Sequence, residues 1–75
     1  MKGFQNQVLS FKDGLKQIIG IYHENGKSRK YCLYLRTLET NGKWSCARII
    51  GVYDDFYKLL YMAGEHARMQ NMFEV

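Results

Sequence analysis

The tripeptide Asn-Gly-Lys occurs twice, at Asn25-Gly26-Lys27 and at Asn41-Gly42-Lys43, and the residues between the two copies read as one β-strand. Asn-Gly is the strongest short-range hairpin signal, because tight hairpin turns require positive φ, which Gly adopts freely and Asn tolerates. Two such turns around one strand specify a three-stranded antiparallel meander. The chain then becomes helical to its end. The expected fold class is α+β: a three- to four-stranded antiparallel meander with one C-terminal helix packed on one face.

The elements follow from the apolar pattern. Residues 4–11 read as a short leading strand with Val8, Leu9 and Phe11 as its apolar positions, and Asp13-Gly14 is a turn signal. Residues 15–23 form the next strand, rich in the β-formers Ile18, Ile19, Ile21 and Tyr22. Glu24 to Lys27 closes the first turn. Residues 29–39 form the long central strand, Thr40 to Lys43 the second turn, and residues 44–52 the last strand, with Ala47, Ile49 and Val52 as core candidates. Asp54 is placed to cap the helix, with Asp55 adding favourable charge at its start. Phe56, Leu59, Leu60, Ala63 and Ala67 recur at helical spacing and define its buried face, opposite Asp54, Lys58, Tyr61, Glu65 and Arg68. Gly64, a costly residue inside a helix, is expected where a strand or partner approaches closely.

A sheet covered by one helix buries one face and shows the other. The best apolar set for the covered face is Ile19, Ile21, Leu33, Leu35, Ala47 and Ile49. The open face then carries Tyr22, Tyr34, Arg36, Trp44 and Arg48. This division depends on the second hairpin. A two-residue turn pairs Leu35 with Arg48. A three-residue turn with Gly42 as bulge residue pairs Leu35 with Ala47 and Tyr34 with Arg48, and separates apolar from polar side chains more cleanly. The second register is the expected one. A slip of one residue reverses every face.

Seventy-five residues make a single domain, 1–75, and 47% apolar residues exclude a disordered chain. A chain this short buries only about 60% of its unfolded surface, which makes a homodimer a reasonable way to bury more. Cys32 and Cys46 are expected on neighbouring strands, offset by roughly 13 Å along the strand direction. A disulfide needs a much closer approach, so both are expected reduced, which fits a cytosolic or nuclear setting, with a cytoplasmic location the expected one. The start of the chain lacks the apolar run of a signal peptide, and no stretch is apolar enough for a membrane span. The two histidines, His23 and His66, have no zinc spacing with the cysteines. No Ser or Cys has a base at a recognisable spacing, and no Gly-rich phosphate loop is present. The sequence reads as a non-enzyme with no cofactor and no metal.

Eleven Lys and Arg against seven Asp and Glu give a net charge of +4. A small basic domain often binds nucleic acid or an acidic protein surface. Aromatics interleaved with arginines suit nucleic acid, since rings stack on bases and guanidinium groups meet phosphates or guanine edges. The candidate nucleic-acid-binding residues are Tyr22, Tyr34, Arg36, Trp44 and Arg48 on the open face, with Lys27, Arg29, Lys30 and Lys43 at the turns and strand ends. A plainer reading stands beside this one. Tyr and Trp are good strand formers that pack on cross-strand neighbours, and arginine stems cover such a face. A second feature is the helical stripe Met62, His66, Met69 and Phe73, with Met72 nearby. It fits an adaptable partner or homodimer contact, or packing at the end of the small sheet.

Three further stretches carry a resemblance: Gly20-Ile21-Tyr22 in a strand, Asn41-Gly42-Lys43 in a hairpin, and Ile50-Gly51-Val52-Tyr53-Asp54-Asp55 leading into Phe56 to Ala67. With a three-stranded sheet followed by one helix, they resemble the DNA-binding domains of plant ethylene-response factors and the arm-binding domains of tyrosine recombinases. The resemblance spans roughly residues 18–70. It implies a sheet laid in the major groove, with DNA favoured as ligand. By composition, a compact basic domain without a catalytic constellation is also similar to small phage- or mobile-element-encoded inhibitors of host machinery, such as anti-CRISPR proteins, which act as protein-binding modules.

Overall fold

Four strands form one antiparallel sheet in chain order, followed by a single helix: β1 (Gln7–Asp13), β2 (Lys16–Asn25), β3 (Ser28–Thr37), β4 (Arg48–Tyr53) and α1 (Phe56–Met69). The structure, a computed structural model, describes residues 6–70, with Asn25 described by its backbone alone. It is the α+β meander expected, with the leading strand present. Among the described residues no helix is long and apolar enough to cross a membrane.

The first two hairpins have the same construction. Asp13 pairs with Lys16 around Gly14-Leu15, and Asn25 pairs with Ser28 around Gly26-Lys27. Gly26 sits at φ +63° in the first central position, where a two-residue type II′ loop requires a residue free of a Cβ. The turn therefore closes at Asn25–Ser28, one residue later than the sequence reading placed it.

The third connection has the expected turn and an unexpected register. The Gly42 N–H donates to the Glu39 carbonyl at 3.0 Å, the Glu39 N–H donates to the Lys43 carbonyl at 2.7 Å, and Gly42 takes φ +84°. This is the three-residue loop with a glycine bulge. The Asn41 side-chain oxygen accepts from the Lys43 N–H at 2.9 Å and holds it. Leu38 then bridges to Trp44, and the Ser45 N–H donates to the Thr37 carbonyl at 2.7 Å. The Thr37 N–H donates to the Ser45 hydroxyl at 3.0 Å, where a regular ladder would supply a backbone carbonyl. With Thr37 satisfied, Cys46 and Ala47 leave the ladder, and pairing resumes with Leu35 opposite Arg48 rather than Ala47. A second slip at Ile50 separates the pairs Tyr34–Ile49 and Leu33–Gly51. β4 thus begins at Arg48, not at residue 44.

The helix packs across β2, β3 and β4. Its buried residues Leu59, Ala63 and Ala67 meet Ile18, Leu33 and Leu35, with Leu9, Phe11, Tyr31, Ile50, Tyr53 and Phe56 around them. Two alanines in that stripe let the helix lie close to the sheet. A Cβ on Gly20 would stand 2.8 Å from Leu9 Cγ and 3.0 Å from Leu59 Cδ2, so the absence of a side chain there admits both leucines. Tyr22, Tyr31 and Phe56 form an aromatic row at one end of the core, with ring centroids 5.0 and 5.9 Å apart. At the other end the Lys16 ammonium donates to the Gln70 carbonyl at 3.0 Å, a cation at the negative end of the helix.

Several expectations are corrected. Ile19 and Ile21 lie on the face away from the helix, although both are buried. Gly20, whose lack of a side chain suits the crowded side, takes the helix-facing position between Ile18 and Tyr22. Tyr22 therefore faces the helix. Ala47 belongs to no strand, and Ile49 and Val52 are exposed rather than core. The helix N-cap is Asp55, in extended conformation and without a side-chain bond to the first turn, in place of Asp54. Leu60 is exposed, and nothing lies within 4 Å of a Cβ built on Gly64, so that glycine marks no close approach within the chain.

Candidate nucleic-acid interface

Cross-strand partners share a face, so the pairing fixes what the helix-free side displays. Its rows include Lys12–Gln17–Arg36, Ser10–Ile19–Tyr34–Ile49, Gln7–Ile21–Cys32–Val52 and His23–Lys30. The middle of the face is apolar, with Ile19 fully buried and Tyr34 half-buried. The polar groups stand around it.

Trp44 organises one corner. The Arg36 guanidinium carbon lies 4.8 Å from the centre of the indole ring, and the Lys12 ammonium lies 5.5 Å from it. The Arg36 Nε–H donates to Gln17 Oε1 at 2.7 Å, and the Gln17 amide donates to the Ser10 hydroxyl at 2.9 Å. A chain of contacts thus runs across β1, β2 and β3 and fixes the plane of the guanidinium. Each cation–π contact at such a site is worth roughly 0.5–1 kcal/mol. Two cations are held together on one ring, where otherwise they would repel.

The charges of the sheet are sorted by side. Lys12, Lys30 and Arg36 occupy paired positions on the helix-free face, together with His23. The acidic residues of the strands, Asp13 and Glu24, pair with Lys16 and Arg29 on the other face, where Glu24 comes within 3.8 Å of Arg29. No acidic residue occupies a paired position on the helix-free face among the described residues. The net charge of the chain is mild, but among the described residues the paired positions of that face carry one sign only.

Tyr34 sits between the apolar centre and the polar edge, with its hydroxyl 3.4 Å from His23 Nε2. Burial pushes its pKa above the ordinary tyrosine range, and the neighbouring Cys32 raises it further through charge repulsion and a hydrogen bond. Tyr34 therefore keeps its proton, and stays a donor, at neutral pH.

The structure brings Arg36 and Trp44 into contact and puts Tyr34 on the same face with its hydroxyl at His23, and it separates others from them. Tyr22 faces the helix. Arg48, opposite Leu35, is assigned by register to the helix side of the sheet, though it lines with Arg36, Thr37, Ser45 and Cys46 a cavity of about 350 Å³ opened where the chain leaves the ladder. Lys27, Arg29 and Lys30 are exposed at the tip of the β2–β3 hairpin, and Lys43 is exposed at the turn before Trp44. Arg29 and Lys30 line a second cavity of about 480 Å³ with Tyr53, Asp54 and Lys58. Lys12, Gln17 and Ser10 are the contributors that sequence reasoning missed. Their signal is parity: once Gly14 sets the first hairpin, Lys12 must stand beside Gln17 and Arg36. In the methionine stripe, Met62 and His66 are half-buried and Met69 is exposed, while Met72 and Phe73 lie outside the described residues.

Cys32 and Cys46 are both free thiols, the first buried in β3 and the second exposed in the segment between β3 and β4, so the expected placement of Cys46 on a neighbouring strand is corrected. No protein-family model matches the chain. No curated protein and no solved structure matches it either.

Proposed function

We propose that this chain is a non-enzymatic nucleic-acid-binding protein that uses the helix-free face of its sheet. The one-signed charge at the paired positions of that face, organised around Trp44, supports this reading most strongly. Lys12, Lys30 and Arg36 would meet phosphates, with Lys43 at the adjoining turn. Tyr34 and Trp44 offer rings beside them. The contacts that hold Arg36 to Gln17 and Trp44 reduce the ordering cost of binding, because the guanidinium is already placed. The resemblance to sheet-reading DNA-binding domains makes duplex DNA the first ligand to test.

Trp44 is the sole tryptophan, so its emission reports on this corner alone. Titration with a short DNA duplex at low salt should change that emission with saturation, and Arg36→Ala should weaken the response while the fold melts normally. Unchanged emission up to high micromolar DNA removes the reading. The exposed Ile49 and Val52 on the same side favour a second one, an acidic protein surface as partner, as for an inhibitor of host machinery. A partner of that kind would bind with a weaker dependence on salt than DNA.

A further inference from the structure

Among the described residues β4 is an edge strand, hydrogen-bonded to β3 on one side only. Natural edges are usually guarded by lysines or by charge. The opposite edge, β1, carries Lys12 and Asp13. β4 reads Arg-Ile-Ile-Gly-Val-Tyr, β-formers with a single charge at the first position. Its two side chains on the helix-free face, Ile49 and Val52, are 51% and 49% exposed.

The order of faces along β4 is informative. Arg48 pairs with Leu35 on the helix side and Ile49 with Tyr34 on the free side. Ile50, the extra residue, packs on the core. Gly51 pairs with Leu33 on the helix side, Val52 with Cys32 on the free side, and Tyr53 with Tyr31 on the helix side. The sequence of faces is the same read in either direction. In a regular six-residue strand the two ends fall on opposite faces, and such a strand cannot pair end to end with a copy of itself. The bulge at Ile50 removes that obstacle.

We infer that β4 pairs antiparallel with β4 of a second copy, about a two-fold axis passing between Ile50 and Gly51. Ile49 then stands opposite Val52 of the partner subunit, and Val52 opposite Ile49 of the partner subunit, which joins the two exposed apolar side chains on each strand. Arg48 stands opposite Tyr53 of the partner subunit. Asp54 and Asp55 follow Tyr53 directly, so each end of the seam brings an arginine to a pair of carboxylates. The arrangement is isologous and closed. It also sets both helix-free faces on the same side of one continuous sheet, with the two Trp44 clusters symmetric about the axis.

Sedimentation equilibrium of the full chain, without nucleic acid, tests the seam separately from the proposed function. The parent should dimerise between low micromolar and submillimolar concentration. Val52→Lys should make it monomeric with its melting curve preserved. Arg48→Asp should weaken dimerisation by roughly tenfold or more, and adding Asp54→Arg and Asp55→Arg should recover it. A monomeric parent overturns the inference. So does a dimer that survives Val52→Lys but is lost in Met62→Lys or Met69→Lys, which would assign the contact to the helix stripe.

Discussion

Arg36 and Lys12 illustrate how single side chains would carry the proposed function in a domain this small. Neither is a loose surface cation: both lie over Trp44, and the plane of Arg36 is fixed by Gln17. Arg36 and Trp44 stand out from sequence because each falls in a predicted strand. Lys12 does not, because the leading strand is only weakly periodic and its extent had to come from pairing. Tyr34 gives a test at this scale. Its pKa is raised in the fold by burial first and by Cys32 second. The folded state therefore holds this proton more tightly than the unfolded chain. The resulting stability is full below the unfolded tyrosine value of about 10 and is lost as pH rises from there through the folded-state pKa. Urea unfolding at neutral and at alkaline pH should show the parent losing stability above that point more steeply than Tyr34→Phe. Equal slopes would mean that Tyr34 titrates as an ordinary tyrosine.

Among the elements, the hairpins were the most legible, because glycine at positive φ is a local requirement. Gly26 and Gly42 both sit where the repeated tripeptide puts a turn. The helix was legible from its spacing, and Leu59, Ala63 and Ala67 are its buried face. The register of β4 was not legible. It depends on the Ser45 hydroxyl replacing a carbonyl and on an extra residue at Ile50, and neither alters the alternation of apolar residues enough to be seen. That one displacement moved Arg48 off the open face. The division of β2 was missed for a different reason: Ile18 and Ile19 are equally apolar, and only the clearance at Gly20 decides which side meets the helix. Two variants separate turn from register. Gly42→Ala should cost about 1–2 kcal/mol, since an L side chain resists positive φ, and Gly42→Asn should cost less. Ser45→Ala leaves the Thr37 N–H without its partner and should cost about 1–3 kcal/mol if the site stays closed to water. Thermal or chemical denaturation measures both. A Ser45→Ala protein as stable as the parent would remove the hydroxyl from the account of the register.

At the scale of the whole molecule, the helix and the sheet divide the labour. The helix and the acidic strand residues Asp13 and Glu24 take one side, with cations of their own, and Lys12, Lys30 and Arg36 stand at paired positions on the other with Tyr34 and Trp44. The proposed function rests on that asymmetry, so the most direct measurement compares the two sides. Binding of a short DNA duplex should be followed by fluorescence anisotropy over a range of salt, for the parent, for Lys12→Ala with Arg36→Ala, and for Arg68→Ala, on the exposed side of the helix. The parent should lose affinity steeply with salt. The double variant should bind more weakly, with a log–log slope shallower by about one unit per phosphate contact removed, roughly two in all. Arg68→Ala should follow the parent. No binding by the parent at low salt, or an equal loss from Arg68→Ala, would contradict a nucleic-acid interface on the helix-free face.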